Sequence, residues 1–489
     1  MNPTTHSRRL PAAALAAALA VGTSPAAGAA YSQAPGAQAP TTHRSTAADR
    51  DAVAITVYNQ NFGLVREVRT VDMGRGRIQL EFAGVPSAVQ TETVRVRPLG
   101  GGTFRVLEQN YLYDLLSPQK LLEKYVGRTV TVYRWNRETE REDALAAEVL
   151  SVNGGTVLRI GDEITFNAPG RIAFPEVPRD LIAKPTLLWL LEGGAERQRI
   201  EATYLTRGLN WKADYVMVVD EDDAGGDLNG WVTLTNGSGA TFENAELKLV
   251  AGDVQRVGER RFELDGILAQ ARSEVADATF SEQSFFEYHL YTLGRPTTLK
   301  NNEQKQVALL DATGFALRKR LVFYGAAHYY RGSVGEVVSN QKLDVFLEFK
   351  NSARNRLGMP LPAGVVRVYK EDGSGAQQFI GEDRIDHTPR DELVRIRMGD
   401  AFDVRGDRRQ MDYTVISHCV SESTWRIELR NHKDSAEEIR VVEPVGGDWD
   451  ILSSSHEPER LDAHTFRFHV DVAPRGTEIV EYRVRVRWC

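Results

Sequence analysis

Cysteine is scarce in this chain of 489 residues, which contains only Cys419 and Cys489. Zinc sites built from paired cysteines need several closely spaced thiolates, so this class of site is excluded. A lipid-anchored protein would need a cysteine at its cleavage site, and none lies near the start of the chain. A chain of this length does not depend on a disulfide for its core, so Cys419 and Cys489 could form a bridge or stay as free thiols.

Several other features are missing. Metalloprotease, Walker-type phosphate and dinucleotide motifs are absent, and we predict no metal, no cofactor and no catalytic residue. The formal net charge is −7, with acids and bases interspersed, which argues against a nucleic-acid partner because phosphate binding needs a concentrated basic face. Beyond the first 30 residues no uncharged apolar run is long enough to span a bilayer as a helix, so we predict no integral membrane segment in the mature chain.

The N-terminus has the three parts of a secretory signal peptide. A charged start ends in Arg8-Arg9, an apolar run follows over residues 10–21, and small residues close the segment at Ala27-Gly28-Ala29. A membrane anchor is the alternative, but about twelve apolar residues are too few for a bilayer core that needs about twenty. Residues 1–29 therefore predict export to the periplasm or medium, by the general route or, since Ser7-Arg8-Arg9 half-matches its motif, by the twin-arginine route.

Residues 30–50 are rich in Ala, Gln, Ser, Thr and Pro and predict a disordered linker. From Val53 onward apolar residues recur with a period of two, as at Ile78, Leu80 and Phe82, which is typical of half-buried strands. Ser117-Pro118 should start a short helix over residues 119–126. The strands that follow, with an Asn153-Gly154 hairpin turn, predict a small barrel-like subdomain.

Three strands in the second half of the chain should end on an asparagine that follows two alternating apolar residues. These are Asn236, Asn351 and Asn431. An asparagine at a strand end can satisfy backbone groups and begin a turn, and an asparagine-based binding site is the alternative. Residues 259–279 have helical spacing and predict a short helix or a mobile connector.

Five segments carry a resemblance to a known family. They read YLTRGLNWKADY at 204–215, YHLYTL at 288–293, LGMPLPAGVVRVY at 357–369, FIGED at 379–383 and AFDV at 401–404. The chain resembles the bacterial domain-of-unknown-function family forty-one thirty-nine and, more distantly, the mucoidy-inhibitor A proteins. That family has no established reaction, so the resemblance implies an architecture and an envelope location.

Three polar clusters are candidate sites. The acidic loop 220–227 resembles part of a calcium loop but lacks its closing Glu, which favours a solvated hairpin. Residues 382–392 combine acids with His387 and Arg390, which suits either a salt-bridged turn or a catalytic or metal site. Glu287, His289 and Tyr291 alternate along a strand and could bind sugar or peptide, although half-buried packing is the commoner role of such residues.

We predict a mainly β fold in which a small barrel-like N-terminal subdomain precedes immunoglobulin-like β-sandwiches, with few short helices. The N-terminal β region should cover residues 51–195, the central sandwich region 196–408 and the C-terminal sandwich 409–489. Alternation of Tyr482, Val484, Val486 and Trp488 with three arginines predicts a last strand with one buried face.

The predicted function is that of an exported, non-catalytic cell-envelope protein that binds or scaffolds an envelope protein or polysaccharide. A hydrolase acting on envelope polysaccharide or peptide is one alternative, because two carboxylates from distant strands suffice for such chemistry. An assembly chaperone or adhesion module is the other, and it would use an exposed sheet edge to add a partner strand.

The signal peptide makes a prediction about the mature chain. Protein purified from its native host should begin near Ala30, because small residues at Ala27 and Ala29 suit cleavage after Ala29. N-terminal sequencing measures this directly. An intact Met1 on a cytoplasmic product would contradict the export prediction.

Overall fold

Strands account for nearly all the regular structure, as the alternation in the sequence predicts. The computed structural model describes residues 40–74, 76–166, 170–178, 180–252, 254–255 and 280–489, and residues Thr41–Cys489 form one compact unit. The predicted signal peptide, residues 30–39 of the predicted linker and the predicted helix at 259–279 lie outside the described residues. The mainly β prediction is confirmed.

The described residues contain 31 strands, which we label in chain order. The first sixteen are β1 Thr41–Ser45, β2 Arg50–Tyr58, β3 Phe62–Asp72, β4 Arg77–Ala83, β5 Arg95–Leu99, β6 Phe104–Leu112, β7 Thr129–Asn136, β8 Arg141–Ser151, β9 Val157–Ile160, β10 Glu163–Phe166, β11 Arg171–Ala173, β12 Thr186–Gly193, β13 Arg197–Arg207, β14 Leu209–Val219, β15 Gly225–Asn236 and β16 Phe242–Ala251. The rest are β17 Phe280–Phe285, β18 Tyr288–Leu293, β19 Thr297–Leu299, β20 Glu303–Ala316, β21 Arg318–Tyr324, β22 Glu336–Lys350, β23 Gly364–Glu371, β24 Gln377–Ile385, β25 Leu393–Ser417, β26 Val420–Asn431, β27 Glu437–Pro444, β28 Asp448–Ser454, β29 Pro458–Arg460, β30 Thr465–Val472 and β31 Thr477–Arg487.

One α-helix, α1 Pro118–Lys124, lies among the described residues together with four short 3₁₀ turns, Ala47–Asp49, Thr91–Thr93, Ala327–Arg331 and Ala353–Asn355. Ser117 caps α1 by accepting a hydrogen bond from the Lys120 amide, and Pro118 occupies its first turn. The predicted helix is therefore confirmed. No helix of the described residues is long and apolar enough to cross a membrane.

The strands form five sheets. Their orders are β1-β4-β12-β6, β10-β9-β8-β7-β11, β17-β18-β16-β2-β3-β13-β5 with β19 on β16, β20-β15-β14-β23-β24, and β28-β31-β26-β25-β22-β21-β27-β30-β29. The second sheet, over residues 129–173, has its own small core around Tyr125, Val132 and Val149. It corresponds to the predicted barrel-like subdomain.

The described residues have two large cores. The second one is enclosed by the nine-stranded sheet, which folds over on itself. Phe466 and Phe468 of β30 contact Tyr482 of β31, with ring centroids 5.5 and 5.4 Å apart. Tyr482, Val484 and Val486 are buried, as the alternation of the last strand predicts. The first large core lies among the four-, eight- and central five-stranded sheets and includes residues from one end of β22 and β25.

Two features differ from the predicted organisation. Residues 41–50 are ordered, because β1 pairs in parallel with β4 from Thr41 to Ser45, so the prediction of disorder was wrong for this part of the linker. The predicted boundary at 408/409 falls inside β25, and the C-terminal sheet also includes β21 and β22. Both differences depend on pairing between strands that are distant in sequence.

The three asparagines have one structural role. Asn431 donates from Nδ2 to the carbonyls of Ser435, Val472 and Ala473, and its Oδ1 accepts from the Lys433 amide. Asn236 and Asn351 likewise each donate to three backbone carbonyls. All three side chains are buried, so each asparagine fastens the loop that follows its strand, and the structural interpretation of the pattern is correct.

Removing one of these amides should destabilise the protein. Asn431→Ala removes the buried amide that donates to three backbone carbonyls, so we expect a loss of about 1–3 kcal/mol in the free energy of unfolding. Chemical denaturation measures it. Asn110→Ala, on the exposed surface of β6, is the matched control and should cost under about 0.5 kcal/mol. Equal losses in the two variants would show that the loop fastening is unimportant.

Candidate functional site

The end of the β25–β26 hairpin presents an open sheet edge. On one side, β25 pairs with β26 through to Ser417. On the other side, β22 pairs with β25 only as far as Glu336 opposite Arg409. Among the described residues, positions 411–417 of β25 have no strand on their outer side. We call residues 411–417 the free edge.

Gln410 marks the point where the outer pairing stops. Its amide donates to the Gly335 carbonyl at 2.8 Å, and its side chain donates to the Gly332 carbonyl at 3.0 Å and accepts from the Val334 amide at 2.8 Å. These bonds hold residues 332–335 against Gln410, just before the first residue of β22. The free edge begins with the next residue.

The side chains of the free edge are mainly apolar and exposed. Met411 is 54% exposed, Val415 65% and Ile416 54%. The one charged residue is Asp412, whose carboxylate accepts a hydrogen bond from the Thr414 hydroxyl at 3.1 Å. Edge strands are usually protected by charges or proline, as in β28 with Asp448 and Asp450 and in β29 with Pro458, Glu459 and Arg460. The free edge carries one charge, Asp412, and no proline.

Small residues of β26 lie beside the free edge. Tyr413 is opposite Ser423 and Val415 is opposite Ser421, and residues opposite one another lie on the same face of a sheet. That face also carries Trp425, which is fully buried. β-bulges occur at Met411 and Ile416, and between them residues 412–415 keep regular pairing.

A disulfide holds the tip of the hairpin on its inner side. Cys419 and Cys489 are joined with their Cα atoms 5.7 Å apart, and the Trp488 amide donates to the Cys419 carbonyl at 2.8 Å. The bridge spans 70 residues of sequence, and closing a loop of that length stabilises a fold by about 2–4 kcal/mol. It fixes β26 against the C-terminus and leaves β25 uncovered.

The predicted cluster at 382–392 is dispersed in the structure. Glu382 pairs with Arg367 at 3.3 Å, Asp383 accepts from the Arg397 amide at 2.6 Å, and His387 Nδ1 accepts from the Ala363 amide at 3.1 Å. Across the described ranges no group of three or more His, Cys, Asp or Glu residues could hold a metal ion. The cluster thus contributes to turns and strand ends.

The predicted face of Glu287, His289 and Tyr291 is only partly on a strand, because Glu287 lies in the exposed turn before β18. Tyr291 is 1% exposed and donates to the Pro360 carbonyl at 3.0 Å, and burial raises its pKa well above the ordinary value. His289 Nδ1 lies 2.7 Å from the Glu282 carboxylate. Since Tyr291 faces the core, packing is the correct interpretation of this strand.

The acidic loop borders a groove with a volume of about 450 Å³. Asp220 and Asp227 line it, but each accepts a backbone hydrogen bond, from the amides of Ala224 and Gly314. Burial raises the pKa of Asp223, yet hydrogen bonds from Lys319 and Lys370 outweigh burial and lower it. The loop is a largely exposed hairpin between β14 and β15, as predicted, and Asp223 fastens it to β21 and β23.

Two buried ionic clusters, which the sequence analysis missed, lie inside the large cores. In the first, Glu67 accepts from Arg69, Arg50 and the Tyr204 hydroxyl. Burial raises the pKa of Glu67, but the two guanidinium groups and the Tyr204 hydroxyl outweigh burial and hold this pKa below its usual range.

In the second cluster, Glu443 accepts from Arg408 and the Tyr330 hydroxyl, and Tyr482 lies 2.8 Å from that hydroxyl. Here one guanidinium faces the carboxylate, and burial raises the pKa of Glu443. A Cβ at Gly325 would lie 2.2 Å from the Glu443 carboxylate, so the glycine makes room for the cluster. Neither cluster is exposed, and both act in stability.

No protein-family model and no curated protein sequence matches the chain. The family resemblance therefore stays a prediction, and the case for a function rests on the structure. Among the candidate sites described above, the free edge exposes both unpaired backbone groups and apolar side chains to a partner.

The two clusters should respond to pH in opposite directions. The lowered pKa of Glu67 gives stability that is present above its unfolded value and is lost as pH falls through the folded pKa. The raised pKa of Glu443 gives stability that is present at low pH and is lost as pH rises through the folded pKa. Glu67→Gln should thus cost most near pH 7, and Glu443→Gln should cost more near pH 3 than near pH 7.

Chemical denaturation of both variants and the parent protein at these two pH values measures the difference. We expect Glu67→Gln to cost about 3–5 kcal/mol at neutral pH, because it breaks a buried ion pair. Glu481→Gln, at an exposed ion pair with Arg426, is the control and should be nearly neutral at both. Parallel pH trends for Glu67→Gln and Glu443→Gln would contradict this account of the clusters.

Proposed function

We propose that this chain is an exported, non-catalytic binding protein of the cell envelope that takes up an extended segment of another polypeptide along the free edge. The observation that carries the proposal is the unpaired, mainly apolar stretch 411–417 at the end of β25. The predicted signal peptide supports the envelope location. The proposal joins the predicted binding role with the predicted use of a sheet edge.

Strand addition suits this edge for two physical reasons. The unpaired side of a strand presents a row of N–H and C=O groups that an added strand can bond without any rearrangement. Tyr413 and Val415 lie on one face and so select alternate apolar side chains on that strand. Backbone bonding supplies affinity, and the alternate side chains supply specificity.

The charge of Asp412 favours particular residues on the second face of the partner strand. Thr414 and Asp412 lie on the face opposite Tyr413, and Asp412 is the only charged residue of the free edge. A basic side chain in the added strand would lie near Asp412, and opposite charges across a strand pair are stabilising. The favoured ligand is therefore an extended segment that alternates apolar with polar or basic residues.

The turn of the β25–β26 hairpin is fixed in place before any partner binds. The disulfide and the Trp488 amide attach the turn to the C-terminus, so the free edge does not need to be ordered when a strand binds. A preorganised site loses less conformational entropy on binding than a flexible one. The folding of the hairpin has already met that cost.

A short synthetic peptide that alternates valine and lysine tests the proposal. It should bind the mature, oxidised protein and protect the backbone amides of residues 411–417 from hydrogen exchange. Val415→Lys should weaken binding by about tenfold or more, because lysine on an edge opposes strand addition, whereas Val415→Thr keeps a β-branched neutral residue and should bind nearly as well.

The peptide has its own control, in which prolines replace alternate residues and remove N–H donors that strand addition requires. This control peptide should fail to bind. Binding that is indifferent to proline and to Val415→Lys, or protection elsewhere in the chain, would refute strand addition at the free edge.

A further inference from the structure

We infer that a second copy of this chain supplies a strand for the free edge, so that two nine-stranded sheets join edge to edge in an antiparallel dimer. The inference rests on the proposed function, because both require this edge to accept a strand. It goes further by naming the partner. Length, symmetry and side-chain chemistry of residues 411–417 each support it.

Symmetry limits the registers that two identical edges can adopt. A two-fold axis perpendicular to a continuous sheet makes the strands antiparallel and keeps each side chain on its own face. Cross-strand partners must then have side chains on the same side of the sheet. Since side chains alternate between the two sides, the two-fold axis has to pass through a pair formed by one residue and its own copy. Registers centred on Tyr413 or on Thr414 meet this condition.

The length of the free edge selects between these registers. Pairing centred on Thr414 stays within the free stretch on both chains, and its pairs from 413 to 415 lie between the bulges at Met411 and Ile416. Pairing centred on Tyr413 would place residue 417 opposite Arg409, which already pairs with Glu336 of β22. The free stretch therefore fits the register centred on Thr414.

The side chains in this register are complementary. Tyr413 lies opposite the second copy's Val415, twice by symmetry, and Thr414 lies opposite its own copy. Aromatic with β-branched residues and threonine with threonine are favourable cross-strand pairs. Asp412 lies near the second copy's bulge at Ile416, so the single charge of the free edge does not face its equivalent.

β28, an edge strand of the same nine-stranded sheet, provides a contrast. β28 also has one open side, but it carries Asp448 and Asp450 at alternate positions. Registers centred on Trp449 or Asp450 would place aspartates opposite one another, and like charges in that position are destabilising. β28 is therefore the matched control for an edge that should not pair with itself.

Cysteine cross-linking tests the register. Facing residues in an antiparallel pair have Cα atoms about 4.5–5.5 Å apart, which is within the range that a disulfide bridges. Mild oxidation of the mature protein carrying Thr414→Cys should give a covalent dimer on non-reducing electrophoresis. Ser453→Cys, on exposed β28, should remain monomeric, and mass spectrometry should show the Cys419–Cys489 bridge intact in both.

Sedimentation of the protein without added cysteines tests the association itself. The mature chain should dimerise with increasing concentration, Val415→Lys should raise the dissociation constant of the dimer by about tenfold or more, and Val415→Thr should change it little. A parent chain that stays monomeric at the highest attainable concentration, or a Thr414→Cys variant that cross-links no faster than Ser453→Cys, overturns the inference.

The two proposals fail in different ways. If the valine–lysine peptide binds and depends on Val415 while the chain remains a monomer, the second copy is not the partner and strand addition stands. If the parent chain dimerises but Val415→Lys has no effect, the dimer uses another surface and the inference is wrong. If neither peptide nor second copy engages the free edge, both proposals fall.

Discussion

The antiparallel pairing of β22 with β25 is the constraint on which the rest of this structure depends. Leu347 and Phe349 of β22 and Val394 and Ile396 of β25 belong to the first large core. Further along the same two strands, Leu343, Ala401 and Val404 belong to the second. The two cores therefore share one pair of strands, although bulges interrupt the pairing between them, and the two sandwiches are not joined only by a linker. The free edge follows from the same pairing, because it is the part of β25 that extends past the first residue of β22.

A second requirement is that buried polar groups be satisfied in a fold made almost wholly of strands. Each strand that ends inside the protein leaves backbone groups that a helix would bond internally, and Asn236, Asn351 and Asn431 supply those bonds from a side chain. In the two cores, the arginine–glutamate–tyrosine clusters likewise satisfy buried charged groups with side-chain hydrogen bonds. Their different pKa shifts come from the number of guanidinium groups, two around Glu67 and one beside Glu443. A similar arrangement of residue types thus produces opposite responses to protonation.

Local features of this fold could be predicted from the sequence, since neighbouring residues determine them. Ser117 and Pro118 define the start of α1, alternation identifies the buried face of β31, and an asparagine after two apolar residues marks a strand end. Features that depend on distant pairing could not. Nothing near Tyr291 shows that it faces Pro360, and nothing near residue 411 shows that β22 stops opposite Arg409. The candidate site belongs to this second kind. Its residues read in the sequence as an ordinary strand, and what makes them a site is that no other strand of the described residues lies on their outer side.

The disulfide described above also decides how the hairpin would carry a mechanical load. Tension applied to a strand bound along residues 411–417 acts on β25 and, through the turn, on Cys419. The covalent link passes that tension directly to Cys489 at the end of β31, which pairs with β26 along its whole length. Force therefore enters the sheet through two anchored strands, and β26 cannot be peeled away from its tip one hydrogen bond at a time. A hairpin tied in this way resists unzipping, and its rupture would require many backbone bonds to shear together.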